Sequence, residues 1–321
     1  MRLRILAIVL VSLAAHSARA DLDAGIAAFE RRDCSTADRE LRPVAEKGNA
    51  LAQRLMGMLA FRCGIVIPSG YRPPEERAIA EGRADAAARL SFEYDWIIAT
   101  PRDPYGAVQW FAKAAANDDA VAQFVLASFL DRGLVVAQDH AAAVTWLRRA
   151  AACDDVGADY FLAIHYRDGI GVALDKGIAF QWFRTAAERG DVNASAELGR
   201  IYLQGDGISP DYAEALKWLT APAELEHGPA QYYLGTMYRD GLGATQDLVQ
   251  AYKWLFLAKR AGLPVGIAES YQDVATRDWL AVSDRMTPSQ IGEAIKLVSG
   301  WIGDNNRGRS PFCRKVGCCR R

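Results

Sequence analysis

Asp175-Lys-Gly-Ile-Ala-Phe-Gln-Trp-Phe-Arg-Thr-Ala-Ala187 is the stretch whose reading decides the fold. Its tryptophan belongs to a column: Trp110, Trp146, Trp182, Trp218 and Trp254 follow one another at intervals of 36 residues. A fixed period of this length marks a repeat array. The neighbours keep the same register. Asp103, Asp139, Asp175, Asp211 and Asp247 each stand seven residues before a tryptophan. Each precedes a helical pattern, where its carboxylate can accept from backbone N–H groups that lack an intrahelical partner.

Working outward from each Asp, the apolar positions fall at offsets 4, 7, 8 and 11. They are Ala107, Ala143, Ala179, Ala215 and Ala251, then the tryptophans, then Phe111, Leu147, Phe183, Leu219 and Leu255. The last column is Ala114, Ala150, Ala186, Pro222 and Ala258. These offsets trace one helix face. Pro222 departs from the column and is expected to end or bend its helix early. A second helix in each unit has its own stripe: Ala122, Ala158, Ala194 and Ala230, then Leu126, Leu162, Leu198 and Leu234. A small residue follows each leucine, and the helix stops at Gly133, Gly169, Gly205 or Gly241. Glycine suits the left-handed C-cap there. We call this second type the A helix and the tryptophan-bearing type the B helix.

The stretch Ala194-x3-Leu-Gly-x2-Tyr-x2-Gly-x-Gly, followed by Asp211-x3-Ala-x2-Trp-Leu, resembles the Sel-1-like repeat, a relative of the tetratricopeptide repeats. The resemblance covers roughly residues 104 to 262, with degenerate units upstream. It implies an all-α fold, a right-handed α/α solenoid of helix-turn-helix repeats closed by C-terminal capping helices. It also implies a non-enzymatic adaptor that holds a protein or peptide in the concave groove of the solenoid. Members with cysteines at regular positions inside each repeat are linked to β-lactam hydrolysis. An envelope hydrolase of that kind is the alternative reading, and a structural scaffold of an envelope complex is a third. Cys34, Cys63, Cys153, Cys313, Cys318 and Cys319 do not recur at the period, which weighs against the hydrolase.

The termini carry other information. Arg2 and Arg4, the apolar run from Ile5 to Ala15, and Ala18-Arg19-Ala20 read as a signal peptide over residues 1–20. Cleavage near Ala20 predicts a periplasmic or secreted protein with no membrane span in the mature chain. Residues 21–49 read as a degenerate helix pair, with Pro43 a candidate kink in the second helix. The unit at 50–116 is interrupted, because Ala52 stands 70 residues before Ala122, one period plus 34. An insertion at 64–102, with a helical stretch of its own, accounts for the excess. Regular repeats fill 117–262, capping helices 263–302, and a basic Cys-containing tail 303–321.

Charge is balanced, with 38 basic against 39 acidic side chains, so no nucleic-acid partner is expected. The histidines fall at unrelated positions, no phosphate loop or nucleophile elbow occurs, and no Cys-x-x-Cys is present. No catalytic residue, cofactor or metal is therefore expected. The candidate partner-binding groove lies on the A-helix face opposite the core stripe: Phe124, Tyr160 and Tyr232, then Ser128, Arg200 and Thr236, then Arg167 and Arg239, with Gln204 beside them. Aromatic and arginine side chains most often anchor interfaces. Export permits disulfides, and turns of adjacent units lie side by side, so Cys34 and Cys63 are the candidate bridge.

Overall fold

The computed structural model describes residues 19–62, 104–133, 135–261 and 271–306. Among them every regular element is a helix. In chain order these are α1 (19–30), α2 (Cys34–Glu46), α3 (Ala50–Arg62), α4 (Pro104–Ala116), α5 (Ala120–Arg132), α6 (His140–Ala152) and α7 (Val156–Asp168). There follow α8 (Lys176–Glu188), α9 (Val192–Gln204), α10 (Tyr212–Glu224), α11 (Gly228–Asp240), α12 (Leu248–Arg260), α13 (Tyr271–Ser283) and α14 (Pro288–Asn306). The odd-numbered helices from α3 to α11 are A helices, and the even-numbered ones from α4 to α12 are B helices.

The chain divides into two compact units, the first holding α1 to α6 and the second most of α7 with α8 to α14. Within each, helices pack on their neighbours in sequence, and in the second unit α9 also meets α11, and α11 meets α13. This is the helix-on-helix stacking of an α/α solenoid.

The columns read from the sequence are the core. Ala143, Ala215 and Ala251 of the B helices and Ala122, Ala158, Ala194 and Ala230 of the A helices are fully buried. So are Phe183, Leu219 and Leu255, and Leu162, Leu198 and Leu234 opposite them. Small residues on the A helices let the B helices approach. A Cβ on Gly57 would meet the Phe111 ring at 2.8 Å, and one on Gly235 would meet Leu255 at 2.7 Å. Gly57 and Phe111 make α3 the A helix that packs on α4.

The caps match their reading where they are described. Asp139 and Asp175 each accept from a backbone N–H three residues on at 2.9 Å, and Asp211 and Asp247 each accept from two. Asp103 lies outside the described residues. Asn49, Asp119, Asp155 and Asp191 cap the A helices in the same way, and His227 takes that place on α11. Gly133, Gly205 and Gly241 end their helices in the left-handed region. The next glycine, Gly243, has φ +73° and lies directly against the Tyr212 carbonyl. A side chain there would strike the start of the preceding B helix.

Two elements, α10 and α14, differ from the sequence expectation. Helix α10 runs past Pro222 to Glu224. The proline sits in the last turn, so it removes a single helical hydrogen bond while its ring fills the buried alanine column. Its carbonyl still accepts from Leu225 and His227. Helix α2 holds Pro43 inside it, where the sequence pattern placed it. Helix α14 continues to Asn306, into the stretch assigned to the tail. It opens on a reciprocal cap, with Gln290 N–H donating to Thr287 Oγ1 at 3.3 Å and Thr287 N–H to Gln290 Oε1 at 2.9 Å. The insertion at 64–102 and most of the tail lie outside the described residues.

Candidate interaction surface

The tryptophans of α4, α6, α8 and α10 are half-buried, and Trp254 of α12 is buried. Cations cover four faces of this column: Lys113 at 4.3 Å from Trp110, Arg149 at 4.8 Å from Trp146, Lys217 at 5.4 Å from Trp218 and Lys253 at 3.8 Å from Trp254. Burial lowers the Lys253 pKa, with Glu224 acting the other way. Four of the five indoles thus carry a cation over the ring face.

The predicted groove residues divide between the two units. Phe124 and Ser128 belong to the first and the rest to the second. Ser128 is buried, and its hydroxyl donates to the Phe124 carbonyl at 2.9 Å, so it offers a partner nothing. Tyr160 is half-buried and meets the Phe183 ring edge-on at 5.8 Å. Tyr232 packs against the cluster formed by α12 and the capping helices, and its hydroxyl lies 3.3 Å from Asp278. Thr236 donates to the Tyr233 carbonyl. These aromatics therefore serve packing between helices as well as any outer face.

The arginines are brought together through acids that the sequence reading passed over. Arg167 donates to both carboxylate oxygens of Asp168 and reaches Glu197 at 3.3 Å. Arg200 meets the same Glu197 at 3.0 Å, Gln204 at 2.7 Å and Asp206 at 3.5 Å. Lys176 closes the chain on Asp206 at 2.7 Å. One connected network, Asp168–Arg167–Glu197–Arg200–Asp206–Lys176, thus runs over three helices and the turn between α9 and α10. Burial works against the Arg167 charge, but Asp168 and Glu197 more than offset it, so its pKa stands above the ordinary value. Arg200 follows the same pattern. Arg239 repeats the arrangement with Asp240 and with Asp278 of α13, both at 2.7 Å. Gln204 is the exposed member of the set.

A second column escaped the sequence reading. Gln53, Gln123 and Gln231 are nearly fully buried in the first turn of their A helices. Each side-chain amide donates to a carbonyl in the last turn of the preceding helix: Ala45, Ala115 or Ala223. The glutamine is a clamp between repeats, satisfying a helix C-terminus that has run out of N–H groups. Asp159 holds the same position in α7 and pairs with Arg189 at 2.7 Å.

Among the described residues no group of three or more His, Cys, Asp or Glu side chains is placed to hold a metal ion. Nor is any described helix long and apolar enough to cross a membrane. Cys153 is a free, exposed thiol. The Cys34–Cys63 pair has one half, Cys63, outside the described residues.

Comparison with known proteins accords with this geometry. The Sel1 repeat family matches five consecutive windows, 84–119, 120–155, 156–191, 192–227 and 228–263. The first takes in residues 84–103, outside the described set, where Ala86, Leu90, Ser91 and Tyr94 stand 36 residues before Ala122, Leu126, Ala127 and Leu130. Two segments, this one and α3, thus carry the A-helix pattern ahead of α4. Among solved structures, a Sel1 repeat protein from Oxalobacter formigenes is 25% identical, with a TM-score of 0.59, over 81% of this chain and 98% of that one. A protective antigen of uropathogenic Escherichia coli with the same type of repeat is 24% identical over 94% of this chain and 72% of that one, with a TM-score of 0.45. Among curated proteins none matches the chain.

Proposed function

This chain belongs to the Sel1 repeat family, whose members are typically protein-interaction modules, and on that premise we propose that it is a non-enzymatic module that holds a protein or peptide along its A helices. The observation that supports the reading is how the repeat divides its labour. Alanine, leucine and tryptophan columns account for the packing. The outer A-helix side keeps Arg167, Arg200 and Arg239 in preset orientations, with Gln204 exposed at the edge. Ion pairs that fix an arginine before binding lower the entropy lost on binding. A partner would exchange hydrogen bonds with this network.

We place the protein in the bacterial cell envelope, on the strength of residues 1–20 alone. Intact mass of the chain recovered from a periplasmic fraction tests this. A mature start at Asp21, with the loss of two hydrogens for a Cys34–Cys63 bridge, is expected. A chain that keeps Met1 would overturn the export.

Site-specific photo-cross-linking in cells tests the binding reading. A photoreactive residue at Gln204 is expected to capture a protein that the same residue at Gln181, exposed on B helix α8, does not. Equal capture at the two sites, or none at Gln204, would sink it.

A further inference from the structure

Four of the five described A helices are capped by a carboxylate or a side-chain amide: Asn49, Asp119, Asp155 and Asp191 cap α3, α5, α7 and α9. The fifth, α11, is capped by His227, whose Nδ1 accepts from the Ala230 N–H at 3.2 Å. The carboxylates and the amide keep their acceptor through mildly acidic pH. The imidazole does not. Once Nδ1 carries a proton it has no lone pair for Ala230, and its charge then lies against the positive end of the α11 dipole.

The diagonal spacing of the polar pairs ties His227 to the arginine network. Arg167, Glu197 and His227 follow one another at intervals of 30 residues, on α7, on α9 and at the head of α11. Arg167 meets Glu197 across that interval, as Arg189 meets Asp159 and Lys176 meets Asp206. Helix α9 packs on α11, and the Glu197 charge acts on the imidazole. Burial favours the neutral ring and Glu197 the charged one. Arg167 and Arg200 both donate to Glu197 Oε2, which leaves Oε1 for a third donor. The other charges around this turn are placed elsewhere. Glu226 is exposed on the turn itself, and Arg260 of α12 is exposed beside Gln231. Glu224 of α10 accepts from the Trp301 indole of α14 at 3.0 Å and lies 3.9 Å from Lys253 of α12.

We propose that His227 is an acid switch for the arginine network: protonation breaks the α11 cap and turns the imidazolium to Glu197, which draws that carboxylate away from Arg200. Both effects push the ring the same way, since it loses a bond at the helix start and gains a carboxylate. Arg200 then keeps Gln204 and Asp206, and Arg167 keeps Asp168, but the link between the two arginines is gone. The switch acts below pH 6.5, because burial sets the folded value under the ordinary one. Release of a partner by this switch rests on the binding reading above. The switch itself belongs to the chain alone, and its test needs no partner.

Titration of the full chain from pH 7.5 to 5.5, followed by nitrogen-15 NMR of the histidine rings and the arginine Nε–H groups, tests the proposal. The Arg200 Nε–H signal is expected to shift with the same midpoint as the His227 ring. The Arg239 signal, whose Nε–H donates to Asp240, is expected to stay in place. In His227→Asn, which keeps a neutral acceptor at the cap, the Arg200 shift should vanish. In Glu197→Gln the His227 midpoint should move to lower pH, since the charge that favours the imidazolium is gone. An Arg200 shift that persists in His227→Asn would overturn the proposal. So would an unmoved His227 midpoint in Glu197→Gln, or an Arg200 signal that does not follow the ring. Capture at Gln204 is read separately at neutral pH, so failure of the switch and failure of the binding reading are distinct results.

Discussion

Repeats 156–191 and 228–263 share one frame and finish it differently. In both, alanine and leucine columns seal A against B, and an Asp caps the B helix. In the earlier repeat the buried polar position is closed by the Asp159–Arg189 pair. In the later one Gln231 faces Ala261 and a cavity. Their A helices are also capped differently, by Asp155 on α7 and by His227 on α11. The frame that makes the solenoid is thus separable from the polar positions that distinguish one repeat from the next. Changes to the frame should act alike in both repeats, and changes to the polar positions should not.

The largest effect is expected from the frame. Phe183→Ala and Leu255→Ala remove fully buried side chains at the same position of the two repeats. Each should lower unfolding stability by about 3–5 kcal/mol, the range for large-to-small core changes. Urea titration followed by helical circular dichroism measures it. A loss below about 1 kcal/mol in one repeat alone would break the equivalence of the two frames.

Arg189→Ala comes next. It leaves the fully buried Asp159 carboxylate without its 2.7 Å partner. Removing one member of a buried pair costs about 3 kcal/mol, less here because Arg189 is one-third exposed. We expect about 2 kcal/mol in the same titration. An Asp159→Asn, Arg189→Gln double variant should recover part of it, since an amide pair like Gln53–Asn117, where Asn117 donates to Gln53 Oε1 at 2.9 Å, then replaces the ion pair.

The two caps separate by pH. His227 Nδ1 accepts from the Ala230 N–H at 3.2 Å, which requires an unprotonated nitrogen. Burial pushes its pKa below the ordinary 6.5, with Glu197 acting the other way. The unfolded chain therefore binds a proton more readily than the folded one. The cap's contribution is complete above pH 6.5 and is lost as the pH falls from there toward the lower folded value. Between pH 7.5 and 5.5 we expect stability to drop by about 1 kcal/mol, the usual worth of an N-cap. In His227→Asn, which keeps a neutral acceptor, that part of the drop should disappear. A pH profile unchanged by the substitution would refute the assignment.

What the sequence could reveal follows the same division. Packing columns repeat because the A helices meet their neighbouring B helices through the same face, so Leu126, Leu162, Leu198 and Leu234 stand out at one spacing. The polar pairs do not share that spacing. Asp159–Arg189, Arg167–Glu197 and Lys176–Asp206 each join residues 30 apart, because they run diagonally between a residue and a neighbouring turn or helix. A search at 36 finds the arginines and misses their acids. The glutamine clamp is hidden for another reason: Asp159 and Ser195 interrupt the column between Gln123 and Gln231, the first pairing with Arg189 and the second donating to the Asp191 carbonyl at the start of its own helix. Pro222 misled because a helix-breaking residue in a last turn loses little when the ring is buried.

The smallest effect is also the one that tests the comparison most directly. Ala261→Asn should convert the open repeat into the closed form seen at Gln53. Asparagine at 261 would place a side-chain N–H opposite Gln231 Oε1, which has no hydrogen-bond partner among the described residues, and fill part of the cavity. A satisfied buried hydrogen bond contributes about 1 kcal/mol net, reduced by the side-chain freedom that asparagine gives up. We therefore expect a gain of about 0.5 kcal/mol in urea unfolding. The same substitution in a Gln231→Leu background should give none of it, because the acceptor is gone. If Ala261→Asn stabilises both backgrounds equally, the gain comes from cavity filling, and Gln231 is not the group that the missing side chain serves.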